Sequence, residues 1–181
     1  VGEPGDESIR LKHLNLYAWT GDAKASLAVL ETMPAASRVG NIRYPNSRAN
    51  YLARVGDLTG ALADFEKTRQ ILAQDLSDRV GPRGTALRAL YSMARIEGAL
   101  GHAEKQSQLF DQCLVEADRY KKDFPRGSQA SLVAGLVHAK RGKADAAMAV
   151  VDAGMQLAVA SRNVPSIRVA RQNRAAVLAA L

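Results

Sequence analysis

Several things are scarce in this sequence, and each scarcity excludes something. Cys113 is the one cysteine, so an internal disulfide and a multi-cysteine zinc site are both ruled out. It falls at a helix-packing position and reads as a buried, inert thiol. A lone thiol also fits a reducing compartment, which favours the cytoplasm. Aromatic residues are only 5% of the chain, so stacking platforms for single-stranded nucleic acid are few. No apolar run approaches the ~18 residues of a membrane-spanning helix. The polar opening Val1-Gly-Glu-Pro-Gly-Asp-Glu-Ser8 has no initiator methionine and no apolar targeting run, and it is expected to be a processed or trimmed start.

Acids run short toward one end. Residues 1–118 hold 14 Lys/Arg and 15 Asp/Glu, whereas residues 119–181 hold 11 and 3. With a net charge of +7, that imbalance favours an acidic partner: a protein surface, a nucleic acid or an anionic membrane.

Catalytic patterns are missing too. His13, His102 and His138 form no metal-binding pair of the H-E-x-x-H kind, so no metal site and no cofactor is expected. There is no Gly-rich nucleotide loop and no G-x-S-x-G elbow. Gly81-Pro-Arg-Gly84 opens a helix and offers at most a weak anion site, with a connecting loop the plainer role. Asp75 and Asp78 share the polar end of one helix and read as solvated. The expectation is a chain that is not an enzyme.

What is present is a repeat. In Ala53-Arg-Val-Gly-Asp-Leu-Thr-Gly-Ala-Leu-Ala-Asp-Phe-Glu-Lys-Thr68 an apolar segment meets a glycine and a polar residue, then small residues and a larger one at helical spacing. The order recurs around Gly21, Gly56, Gly101 and Gly142, at spacings of 35, 45 and 41 residues. Periods of this size belong to solenoids of helix pairs. Glycine supplies the left-handed residue that ends the first helix. Small residues such as Ala61 and Ala147 then let the pair close up, and Leu30, Phe65 and Phe110 fill the space between pairs. The 3.6-residue period predicts helices over about 6–20, 22–33, 46–55, 59–79, 84–100, 102–121, 127–141, 143–161 and 166–180. Breaks are expected at Pro34, Pro45, Gly81-Pro82, Phe124 to Gly127 and Asn163 to Pro165. No segment alternates with period two, so the class is all-α.

These units resemble the tetratricopeptide repeat (TPR) family. The best copy, from Pro45 to about Gln74, matches the pattern at Ala49, Leu52, Gly56, Ala61, Leu62 and Phe65. The first keeps Tyr17, Gly21 and Leu27, with Ser26 where alanine is usual. The third keeps Ala94, Gly101 and Phe110, and the fourth Gly135, Gly142 and Ala147. The resemblance implies a single domain over 1–181, a right-handed α-α superhelix. Its units lie near 6–33, 45–79, 84–121 and 127–161, with a terminal helix at 166–180. Units of ~40 residues with long second helices resemble the solenoids attached to bacterial signalling proteins.

In TPR solenoids the first helix of each pair lines a concave groove. Counting back from the turn glycines selects Asn15 and Trp19, then Arg43, Asn46, Asn50 and Arg54, then Arg88, Tyr91 and Arg95, and lastly Lys140. The charge on this set is all positive. Asparagine can hold a peptide backbone and arginine can grip carboxylates. The resemblance therefore implies a non-catalytic protein–protein interaction or scaffold module, binding an acidic peptide segment and belonging to a larger bacterial signalling or assembly protein. Two competing readings remain. One is a nucleic-acid-binding helical repeat. The other is a ligand-sensing regulatory solenoid of a transcription regulator. The apolar end Ala175-Ala-Val-Leu-Ala-Ala-Leu181 lacks a polar cap. It is expected to pack on something, a homodimer through this helix included.

Overall fold

The computed structural model describes residues 20–34, 43–74, 80–125, 127–162 and 164–181. Among them are eight helices and no strand: α1 (Ala23–Glu31), α2 (Arg43–Val55), α3 (Leu58–Gln74), α4 (Val80–Ala99), α5 (Ala103–Asp123), α6 (Ser128–Lys140), α7 (Ala144–Ala160) and α8 (Val164–Leu178). The expected helix over 6–20 lies outside the described residues, apart from its last position. The chain divides into two compact units, residues 1–76 and 77–181.

The repeated turn is built as its residues dictate. Gly21, Gly56, Gly101 and Gly142 all have positive φ, between 69° and 93°. After three of them the chain closes the same way. The N–H groups of Asp57, His102 and Lys143 each donate to the carbonyl five residues back, on Leu52, Glu97 and His138. The polar residue after the glycine then starts the next helix. Asp22 Oδ1 accepts from the Ala25 N–H at 2.9 Å, and Asp57 Oδ1 from the Gly60 N–H at 2.9 Å. His102 and Lys143 hold the same position for α5 and α7 without a side-chain cap.

Three expected breaks are corrected. Pro45, Pro82 and Pro165 stand inside the first turns of α2, α4 and α8, and these helices begin earlier than the period predicts. The first N–H groups of a helix have no partner within it, so a proline there loses nothing. Gly81-Pro-Arg-Gly84 is consequently helix and not a connecting loop.

In unit 1, Leu30 and Met33 pack on Tyr44, with Tyr51 alongside. Ala49 of α2 and Ala61 and Phe65 of α3 are buried, so the small residues do bring these helices together. Asp64 is buried beside them, and Arg48 grips both its carboxylate oxygens, Nε at 2.5 Å and Nη2 at 3.1 Å. A double-mutant cycle on Arg48→Ala and Asp64→Ala is expected to give a coupling of about 1–2 kcal/mol by urea denaturation, since this bond is bidentate and charge-assisted.

Unit 2 stacks α4 to α8. Helix α5 carries Glu104 in its first turn and Lys121 and Lys122 in its last, in accord with its dipole. Its buried residues Leu109, Phe110, Cys113, Ala117 and Tyr120 form one stripe. A second cluster joins Ala139, Ala147, Val151 and Val177. Gly135 sits between helices here. A Cβ at that position would lie 2.8 Å from Val151 Cγ1 and 2.9 Å from Val177 Cγ2, so α7 and α8 close directly on the α6 backbone.

Candidate binding surface

The residues selected from the sequence come from first helices, and the two units present them separately. Asn15 and Trp19 lie outside the described residues, as does the side chain of Arg43. In unit 1, Asn46, Asn50 and Arg54 follow one another at four-residue spacing and share a face of α2. Asn46 is half-buried, and Asn50 and Arg54 are exposed. Asn50 Nδ2 donates to the Asn46 carbonyl at 2.6 Å. That bond takes up amide hydrogen-bonding capacity and leaves Asn50 its carbonyl oxygen. Arg54 reaches back to the Gly21 carbonyl at 3.4 Å. Its guanidinium therefore covers the preceding turn while keeping most of its donors outward.

In unit 2, Arg88 and Arg95 are exposed and lie two turns apart on α4. Tyr91 falls between them, but its residue is only 8% exposed and its ring stacks on Phe110 of α5, centroids 6.1 Å apart. Burial pushes its hydroxyl above the ordinary tyrosine value although the Arg95 charge pulls it down. Tyr91 is thus a core residue, and the expectation that it lines the groove is corrected. Lys140 is exposed at the last residue of α6. Helices α4 and α6 run side by side, since a Cβ on Gly84 would lie 2.9 Å from Gln129 Cγ. Arg95 and Lys140 each lie eleven residues beyond that contact in sequence.

The residues of lesser rank take structural roles. Cys113 is fully buried. Arg83 pairs with Asp123 and stands over the Phe124 ring, so the tetrad from Gly81 to Gly84 serves packing. His138 is held below the ordinary histidine value by burial first, then by the Lys143 and Arg141 charges. Among the described residues no group of three or more His, Cys, Asp or Glu side chains could hold a metal ion.

One pattern was missed from sequence, because it needs the helix boundaries. The first helices α2, α4, α6 and α8 carry ten Lys/Arg and one acid, Glu97. The second helices α1, α3, α5 and α7 carry seven Lys/Arg and ten acids. Glu97 is itself turned toward α5, where His102 Nδ1 (2.7 Å) and Lys105 Nζ (2.5 Å) hold it. Positive charge is thus sorted by helix position. Arg168 and Arg171, exposed on α8, join the set.

No protein-family model and no curated protein matches this sequence. Solved structures do. The nearly identical TPR-like repeats of a Podosopora anserina protein named for kinesin light chain superpose with a TM-score of 0.59 at 15% identity, over 99% of this chain and 89% of that one. TTC0263, a thermophilic TPR protein of Thermus thermophilus, gives 0.59 at 18%, over 96% and 98%. Aspartyl phosphate phosphatase F of Bacillus subtilis gives 0.56 at 14%, over 98% of this chain and 47% of that one. At these identities the likeness concerns the fold: this chain has an all-α, TPR-like helical-repeat fold.

Proposed function

We propose that this chain is a non-catalytic protein–protein interaction module that binds an acidic segment of its partner along its first helices. The sorting of charge carries the reading. Second helices carry seven Lys/Arg against ten acids, while first helices hold a single acid and leave Arg54, Arg88, Arg95 and Lys140 exposed. Within unit 2, the guanidinium groups of Arg88 and Arg95 and the ammonium group of Lys140 suit spaced carboxylates, and Arg54 offers unit 1 a cation of its own. Asn50 keeps an acceptor for a peptide N–H. The TPR-like fold supports the same reading, and the long second helices α3, α5 and α7 support a scaffold or sensory part of a larger bacterial signalling or assembly protein. Nucleic acid fits less well, because two of the three tyrosines on the described first helices, Tyr44 and Tyr91, are buried, and the half-buried Tyr51 is the remaining ring for stacking.

The test uses a fluorescent glutamate-rich peptide and a fluorescent single-stranded RNA, read by anisotropy. Arg88→Glu with Arg95→Glu is expected to weaken peptide binding at least tenfold, as paired charge reversals on one face do. RNA binding that exceeds peptide binding, with affinity falling steeply as salt rises, would move the function to nucleic acid. Peptide binding unchanged by the double variant would remove the first helices from it.

A further inference from the structure

One end of unit 2 is built unlike the helix faces above. There α5 and α7 finish and α6 and α8 begin. A cleft of about 290 Å³ opens between them, lined by Lys121, Ser128, Ser131, Leu157, Ser166 and Val169 among others, with no carboxylate in its wall. Beside it, apolar side chains stand out into solvent: Leu157 is 49% exposed, Val159 53% and Val164 75%. Val159 and Val164 flank the turn that holds Arg162. Lys121, Lys122, Arg162 and Arg168 are all exposed. None of the four makes an ion pair among the described residues. Arg168 follows Val164 by four residues and so shares its helix face. The neighbouring acids Glu116 and Asp123 are engaged by Arg119 and Arg83. Asp118 is the remaining acid among the described residues of this end of α5.

We propose that this end of unit 2 docks on an anionic lipid surface. The three apolar side chains enter the interface, and the four cations meet the headgroup charge. The two kinds of exposure occur together, and this decides the partner. A nucleic acid satisfies the cations but gives nothing to the valines. A peptide-binding groove sinks its apolar contacts, whereas these project from helix ends. A lipid interface accepts projecting apolar groups at the headgroup boundary and attracts the cations around them. The Ser128 and Ser131 hydroxyls in the cleft can donate to headgroup phosphate. Attachment is peripheral, since no helix among the described residues is long and apolar enough to cross a membrane.

Vesicle sedimentation of the full chain tests this, comparing phosphatidylcholine alone with phosphatidylcholine containing about 30% phosphatidylserine. Binding to the anionic vesicles only is expected. Lys121→Glu with Lys122→Glu lowers partitioning by roughly 25-fold or more, at about fivefold for each cation lost. Val164→Asp, which leaves the cations in place, also lowers it. Lys140→Glu with Lys143→Glu changes charge equally at the other end of α7, about 25 Å away, and leaves partitioning within about twofold of wild type. All these positions are exposed, so circular dichroism should show no change in fold. Three results would each overturn the proposal: equal binding to both vesicles, equal loss in the Lys140/Lys143 variant, or no effect of Val164→Asp.

Discussion

Tyr120→Ala lowers the stability of unit 2 by about 3–5 kcal/mol, the range for truncating a large buried aromatic side chain. Tyr120 is among the largest fully buried side chains and serves three neighbours at once. Its ring lies against Phe124, centroids 5.1 Å apart, and a Cβ on Gly127 would fall on the ring edge. Its hydroxyl lies 3.5 Å from where a Cβ on Gly84 would be, so the same side chain backs the start of α4. Burial pushes its pKa up, against the charges of Arg88 and Arg83. Truncation opens a cavity where α4, α5 and α6 meet, and backbone glycines cannot refill it. Urea denaturation by circular dichroism gives the magnitude. Hydrogen exchange should show the loss in the α4–α6 amides and not in those of α2 and α3. Tyr120→Phe keeps the ring and is expected to cost only about 1 kcal/mol, which separates packing from the hydroxyl.

Removing both partners of Glu97, as His102→Ala with Lys105→Ala, costs about 2–3 kcal/mol at neutral pH. That figure sits below the range for a fully buried pair because the side chains of both partners are more than half exposed. Glu97 is 1% exposed. Burial by itself would raise its pKa, but the bonds from Lys105 and His102 win and hold it below the ordinary carboxylate value. In the wild-type protein this group therefore stabilises fully above the unfolded-state pKa, and its contribution fades as pH falls through the lowered one. In the double variant only burial remains, and the pKa moves above the ordinary value. The sign reverses: the buried charge destabilises at neutral pH, and acid relieves it. Urea midpoints at pH 7 and about pH 4 should fall with acid in the wild type, and fall less or rise in the variant. Parallel shifts in both proteins would show that Glu97 is neutral in the fold already.

Much of this was legible in local sequence. The four turn glycines all take positive φ, and the aspartates after the first two cap the helices they precede. Each depends on a few adjacent residues, and local conformational preference suffices for it. Helix starts at Pro45, Pro82 and Pro165 were not legible in the same way, because proline marks both a break and a good first turn. The candidate site divides similarly. Arg54, Arg88, Arg95 and Lys140 are exposed. Tyr91 is not, because residues on a helix differ by about 100° per step, and a small error in register separates a face that looks outward from one that meets the next helix.

The sequence by itself determined the class, the repeat, the turn positions and the positive charge of the residues counted back from the turn glycines. All of these are properties of composition and period. Only the tertiary structure decided that Tyr91 stacks on Phe110, that Glu97 is buried between His102 and Lys105, and that valines and lysines distant in sequence gather at one end of unit 2. Those outcomes depend on which side of each helix its neighbour covers. Packing between helices sets that, and no stretch of sequence contains it.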